Sequence, residues 1–217
     1  MTTQLHKILL FRITHIENIP HILKNGITHK DSPNFNPKYK DIGDNSLIYK
    51  REEKIIYVNN GEEFKNEHKI IKPGKFIPFY FGVRMPMLYV IQKGYNNVSK
   101  QNAENIIYCV CSLQSIINCN LEFYFTDGHA TNNLSSCFDK NYVQTIMDIV
   151  DFKAVKSKDW TVERDLKRRM EAECLVSFDI PVACIVGYGC FSNTAKEELI
   201  KMGIEEKIIG VRPQYYF

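Results

Sequence analysis

Three short stretches of this chain gather residue types that could do chemistry. The first is Thr14-His15-Ile16-Glu17-Asn18, polar groups where the apolar run Ile8 to Phe11 gives way to a helix. Strand ends and helix N-termini point free N–H groups outward and often hold anions. The same residues also fit a capped helix with an exposed histidine. The second is Arg168-Arg169-Met170-Glu171-Ala172-Glu173-Cys174-Leu175-Val176, in which a charged helix hands over to an apolar strand. Alternation along that strand puts Glu173 and Leu175 on one face and Ala172, Cys174 and Val176 on the other. A carboxylate set beside core residues requires a partner or a task. Glu171, near Arg168, reads instead as a solvated helical residue. The third is Phe125-Thr126-Asp127-Gly128-His129-Ala130, a turn that presents a histidine directly after a strand. An isolated loop histidine lies on the surface more often than it catalyses, so this one has both readings.

The common cofactor signatures are missing. There is no glycine-rich dinucleotide fingerprint and no Walker loop, since Gly187-Tyr188-Gly189 is too short and has the wrong sequel. His-Glu-x-x-His, the Cys/His spacings of zinc sites and Gly-x-Ser-x-Gly are absent as well. Seven cysteines, at 109, 111, 119, 137, 174, 184 and 190, include no Cys-x-x-Cys and sit among apolar strand formers. They read as buried reduced thiols, with no disulfide and no metal expected.

The elements that must position these stretches fit one domain spanning 1–217. The chain has 217 residues, 44% hydrophobic and 24% charged, which supports a real core and excludes a fibre, a coiled coil or a disordered tail. A net charge of +3 neither demands nor excludes a nucleic-acid partner. No apolar run approaches the roughly 20 residues of a membrane span. The residues before Arg12 lack the hydrophobic stretch of a signal peptide, so a soluble cytoplasmic protein is expected. Strands are expected at Ile8–Phe11, Phe76–Phe81, Ile106–Cys111, Glu122–Phe125, Cys174–Val176, Val182–Val186 and Ile208–Val211. Short helices are expected after Asn18, around Ser46–Arg51, at Leu88–Gln92 before Gly94, at Arg164–Met170, and after Ser192. Residues 29–75 form a long polar excursion of the kind that is usually functional or mobile. About seven strands with scattered short helices, not strictly alternating, indicate an α+β fold.

Taken in order, the stretches resemble one family over essentially the whole chain. Its N-terminal blocks are matched by Arg12-Ile13-Thr14-His15 with Asn18-Ile19-Pro20, and by Asp41-Ile42-Gly43 with Lys50-Arg51. Pro78-Phe79-Tyr80-Phe81, Pro86-Met87-Leu88 and Phe125 to Ala130 follow. Arg168-Arg169, Ala172-Glu173 and Arg212-Pro213-Gln214-Tyr215-Tyr216-Phe217 complete the series. The chain resembles the DarT family, the DNA ADP-ribosyltransferase toxins of bacterial toxin–antitoxin pairs. The resemblance implies an ADP-ribosyltransferase fold with a split central β-sheet and short peripheral helices, NAD as co-substrate in the cleft, and no metal. It implies transfer of ADP-ribose to a base of single-stranded DNA, most often thymidine, with a separate branch acting on guanosine. It also implies a partner, the DarG antitoxin, whose macrodomain removes the modification.

By the same resemblance, Arg12, Thr14, His15 and Asn18 would hold NAD, and the segment from about Asn34 to Arg51 would be the NAD-binding element. Arg51 would contact NAD and help deprotonate the target base, His129 would open the loop that reads the substrate, and Glu173 would be the catalytic glutamate. Glu171 does not align. Cys174 stands where the family often has a larger residue, and 52–75 have no match. The chemistry is consistent with these residue types, because breaking the nicotinamide–ribose bond builds positive charge on the ribose. A carboxylate facing that charge stabilises the transition state more than the ground state. Arginine is a poor base, so the expected role of Arg51 is to stabilise the deprotonated base. Transfer to RNA or protein is the alternative within enzymes. Outside enzymes stands a single-stranded nucleic-acid-binding module using Tyr215, Tyr216, Phe217 and the Lys-rich stretch, although a polyanion binder gains nothing from Glu173.

Overall fold

Leu9–His15 (β1) is the strand around which the rest is built. Leu10 is fully buried on one side and Phe11 on the other, so the run is apolar on both faces and must lie inside a sheet. The computed structural model describes residues 4–59 and 69–217. After β1 come α1 (Ile19–Asn25), α2 (Asn45–Glu53), β2 (Ile56–Asn59), β3 (Ile70–Ile71), β4 (Phe76–Tyr80), α3 (Pro86–Lys93), β5 (Ile106–Ser112) and α4 (Leu113–Asn118). The second half runs β6 (Phe123–Thr126), β7 (Cys137–Phe138), α5 (Ile146–Ile149), α6 (Phe152–Val155), α7 (Leu166–Met170), β8 (Glu173–Ser177), β9 (Ile185–Cys190), α8 (Asn193–Lys201) and β10 (Ile209–Val211). The described strands form one mixed sheet in the order β10-β9-β5-β1-β4-β8-β6-β7-β2-β3. This is the α+β class expected.

The sheet is jointed in its middle. β1 pairs with β5 along its whole length, from Leu9↔Ser112 to His15↔Ile106, and β4 pairs with β8 from Phe76↔Ser177 to Tyr80↔Glu173. Between these two blocks, β1 and β4 share the single register pair Phe11↔Tyr80. The split sheet is thus two half-sheets meeting at one rung; Glu173 stands in register with that rung on one side, and His15 lies four positions along β1 from it on the other. The main core covers one face and includes Leu10, Phe79, Ile107, Cys109, Phe125 and Cys174, drawn from both halves. The opposite face packs Phe11 and Tyr108 with Met85, Leu88 and Ile91.

Several expectations are corrected by tertiary packing. Val182–Cys184 is a 3-10 turn rather than a strand, with β9 starting only at Ile185. β2, β3 and β7 were not foreseen. The first two lie inside the polar excursion and expose alternate residues, so they lack a hydrophobic run to announce them. Part of that excursion, 60–68, lies outside the described residues. Cys119 and Cys184 form a disulfide, against the expectation of none, while the other five cysteines are free and buried. The two lie 65 positions apart, and only the docking of α4 on the 182–184 turn brings them together, tied by Ser115 Oγ donating to the Cys184 carbonyl at 2.8 Å. Tyr216 is buried, its hydroxyl donating 2.8 Å to the Ile106 carbonyl, so it is no stacking surface. Among the described residues no helix is long and apolar enough to cross a membrane, and no cluster of His, Cys, Asp or Glu is placed to hold a metal ion.

Candidate active site

Glu173 opens β8, where α7 ends and the chain enters the sheet, and its side chain has no exposure at all. Three groups make that burial tolerable. The Arg51 guanidinium grips it with two nitrogens, Nη2 at 2.8 Å from Oε2 and Nη1 donating to Oε1 at 3.2 Å. The Ala130 backbone N–H donates to Oε1 at 2.9 Å. Burial works against the carboxylate's charge, but Arg51, the neighbouring His129 and the Ala130 N–H outweigh it and hold the carboxyl below its ordinary range. Arg51 is likewise desolvated and held charged by Glu173. The site therefore presents a preorganised anion beside a fixed cation.

The turn after β6 is shaped to deliver that N–H. Thr126 Oγ1 accepts from the Glu173 N–H at 3.1 Å and donates to the Gly128 carbonyl at 2.6 Å, lashing the turn to the start of β8. Gly128 lies against Arg168, where a Cβ would come within 2.6 Å of Nη1 and 2.9 Å of the carbonyl oxygen, so no larger residue fits. Arg168 braces the turn through Asp127 at 3.1 Å and Asp165 at 2.8 Å, and its carbonyl accepts from the His129 N–H at 3.0 Å. The His129 ring accepts at Nδ1 from the Thr131 N–H, which leaves the proton on Nε2 when the ring is neutral. Burial lowers its pKa despite the nearby Glu173, which favours the neutral ring.

Register decides which expected residues share this site. Directly paired residues lie on the same face of a sheet, so Phe11↔Tyr80↔Glu173 places Glu173 on the face of Phe11, Ile13 and His15. His15 is 2% exposed, caps the turn that follows β1 by accepting from the Glu17 N–H at Nδ1, and has its pKa lowered by burial. Arg12 and Thr14 belong to the opposite face. They line a small cavity with Asn18, His21, Asn36 and Tyr39. Asn18 is largely committed to structure: its Nδ2 donates to Thr14 Oγ1 at 3.0 Å and to the Lys40 carbonyl at 2.9 Å, and its Oδ1 accepts from the Lys40 N–H at 2.8 Å. It clamps the 29–45 arm onto β1.

The sequence reading missed three participants. Tyr80, paired with Glu173, has its phenol pushed well above its ordinary pKa by burial and by the two glutamates, and only the register could have revealed it. Thr126 and the Ala130 N–H stand in a stretch that was noticed only for its histidine. Glu171 is the reverse case, since it is buried rather than solvated. It caps α7 with φ −92° and ψ 24°, and the chain turning there into the sheet carries its side chain inward.

A family model described as ssDNA thymidine ADP-ribosyltransferase, DarT, matches residues 11–217. The chain belongs to the DarT family. A curated DNA ADP-ribosyl transferase of Escherichia coli O127:H6 is 27% identical over 219 residues, covering 97% of this chain and 94% of that protein. One from Thermus sp. is 28% identical over 200 residues, covering 89% and 86%. A Thermosipho africanus protein, 28% identical over 169 residues, is a DNA ADP-ribosyl transferase fused to a DNA ADP-ribosyl glycohydrolase and is covered over 38% of its length. The fold of Thermus sp. DarT, solved with ADP-ribosylated ssDNA, superposes with a TM-score of 0.80 at 24% identity over the whole of both chains. The same DarT with carba-NAD+ gives 0.72 at 25% identity over 97% and 98%. The chain is thus an NAD-dependent DNA ADP-ribosyltransferase of the DarT family.

Proposed function

We propose that this chain transfers ADP-ribose from NAD to a thymidine of single-stranded DNA, and that Glu173, Arg51 and His129 perform the transfer. The observation that carries this reading is the fully buried Glu173 carboxylate gripped by Arg51 and by the Ala130 N–H. As the bond between nicotinamide and ribose breaks, its electron pair leaves with nicotinamide and the ribose carbon becomes positive. Glu173 faces that charge and accepts from a ribose hydroxyl, an interaction that strengthens in the transition state. A ring nitrogen of the base then bonds to the ribose carbon and gives up its proton to solvent. Arg51 stabilises the deprotonated base, and a neutral His129 with its proton on Nε2 orients the base by donating to it. His15 holds NAD on the face of Glu173, Arg12 and Thr14 reach it only from the cavity on the opposite face of β1, and Asn18 positions the arm that carries the segment 34–51.

Such an activity is toxic to the cell that makes it, and a macrodomain enzyme that strips the modification, a DarG-like antitoxin, is the partner this chemistry requires. The Thermosipho fusion, which joins the two activities in one chain, supports that pairing. A cytoplasmic location follows from the need for NAD and exposed single strands. The test is incubation with labelled NAD and, in parallel, single-stranded DNA containing only thymidine, the same length containing only guanosine, duplex DNA, RNA and protein. Label entering the thymidine strand alone is the expected result. Label in RNA or protein alone would overturn the acceptor class, and label in the guanosine strand alone the assignment of the base.

A further inference from the structure

Four aromatic rings meet on the surface at the end of the segment that leads into β8. Tyr89 on α3 lies 5.4 Å from Trp160, 5.2 Å from Phe217 and 5.7 Å from Tyr95, and Trp160 lies 5.7 Å from Phe217. The three contacts among Tyr89, Trp160 and Phe217 are edge-on, between 70° and 81°, so no face is covered by a parallel ring. Tyr95 is 52% exposed and the other three rings are half-buried. Cations already sit on two of them, with Arg84 4.3 Å from the Phe217 centroid and Lys93 5.7 Å from that of Tyr89.

The charge beside these rings is positive on balance. In the segment between α6 and α7, Asp165 is taken by Arg168 and Glu163 by Arg169, while Asp159 keeps its negative charge, held by the backbone and hydroxyl of Thr161. Lys156, Lys158, Arg164 and Lys167 are exposed and form no ion pair among the described residues. Trp160 packs its inner edge on Ala154, Leu166 and Met170. α7 then runs about 7 Å, at 1.5 Å per residue, to Met170, three positions before Glu173.

We propose that this cluster is a stacking seat for bases of the single strand flanking the modified thymidine, with Lys156, Lys158, Arg164 and Lys167 on its phosphates. Aromatic faces beside unpaired cations suit a polyanion whose bases are unpaired, because every base offers a π-face to a ring and every linkage a charge to a lysine. The seat rests on the reading of single-stranded DNA as acceptor. It adds where the rest of that strand lies, and it makes affinity depend on strand length.

Trp160 is the single tryptophan of the chain, so its emission reports on this patch alone. Titrating the full chain without NAD with a ten-nucleotide oligothymidylate should quench that emission saturably. Tyr95→Ala, at the exposed end of the cluster, should weaken the quenching isotherm about tenfold. It should also lower, by about the same factor, the ratio of kcat/KM on the ten-nucleotide acceptor to that on a trinucleotide. On this proposal a trinucleotide fills the catalytic residues and leaves the seat empty. Unchanged emission with the long strand still modified would overturn the seat while leaving DNA transfer standing. A Tyr95→Ala variant with an unaltered length preference would overturn it too. If instead no DNA is modified but an RNA strand is, and quenches, the acceptor reading has failed and the DNA seat with it.

Discussion

Removing Glu173 does more than delete the charge proposed to act in the transfer, because Arg51 is then left in a nearly closed site with nothing to neutralise it. The Arg51 side chain is only 12% exposed. Breaking a buried pair from one side costs about 3–5 kcal/mol, whereas replacing both partners with apolar groups of similar size is often neutral. Glu173→Gln should therefore lose at least about a hundredfold in transfer rate and also stability. The double variant Glu173→Gln with Arg51→Met should regain the stability and none of the rate. Urea denaturation and single-turnover transfer on the same preparations check this, and a single variant as stable as the parent would show that the pair carries no folding energy. Glu171, two positions away, behaves oppositely. Burial, reinforced by Glu173 and opposed by Lys167, lifts its pKa from 4.5 to about 7. A carboxyl raised in the folded state favours folding while it is protonated. That contribution is complete below about pH 4.5 and is lost as pH rises through 7. Glu171→Gln keeps a neutral side chain throughout, so its stability over the parent should be near zero at pH 4.5 and reach as much as about 3 kcal/mol at pH 8. A gap independent of pH would show that Glu171 is solvated after all.

At the scale of elements, the placement of Arg51 depends on a helix with almost no core of its own. No residue of α2 is buried, so it is held from outside. Lys30 bridges to Glu52 at 3.2 Å, and the turn between β3 and β4 lies directly beneath, where a Cβ on Gly74 would come within 2.8 Å of the Glu52 Cα and 2.9 Å of its nitrogen. Gly74→Ala should push α2 away and misplace Arg51. A shift of about 1 Å in a catalytic group can cost about a hundredfold, so transfer should fall tens-fold while the cooperative unfolding transition survives. Transfer kinetics beside a thermal melt test it, and an unimpaired Gly74→Ala would mean that α2 is seated by something else. These supports also mark how far the sequence could be read. α2 itself was legible from Ser46 to Arg51, and β1, β4, β5, β6 and β8 were legible because each carries an apolar run. β2, β3 and β7 are short and take their identity from their neighbours. The Asn18 clamp on Lys40 spans 22 positions and the Arg51–Glu173 pair spans 122. Such contacts exist only once the sheet has formed, so the residues could be named beforehand while their partners could not.

For the whole molecule, alternation correctly put Glu173 and Leu175 on one face of β8, yet it gave no means of relating that face to His15. The relation came from Phe11↔Tyr80, the single rung that joins the half-sheets. Elsewhere in the sheet, continuous ladders fix the spacing of neighbouring strands at about 4.8 Å. Across the joint one rung cannot do so along the whole edge. What holds the two flanks at their distance is interdigitation, since Leu10 and Cys109 from one half and Phe79 and Cys174 from the other share a single packed layer. The gape of the crevice is therefore a matter of side-chain volume rather than of backbone bonding. A methylene more or fewer in that layer, well away from any reacting atom, resets the span between His15, proposed to grasp the dinucleotide, and Glu173, proposed to drive its cleavage. In such a molecule the catalytic ruler is kept in the hydrocarbon.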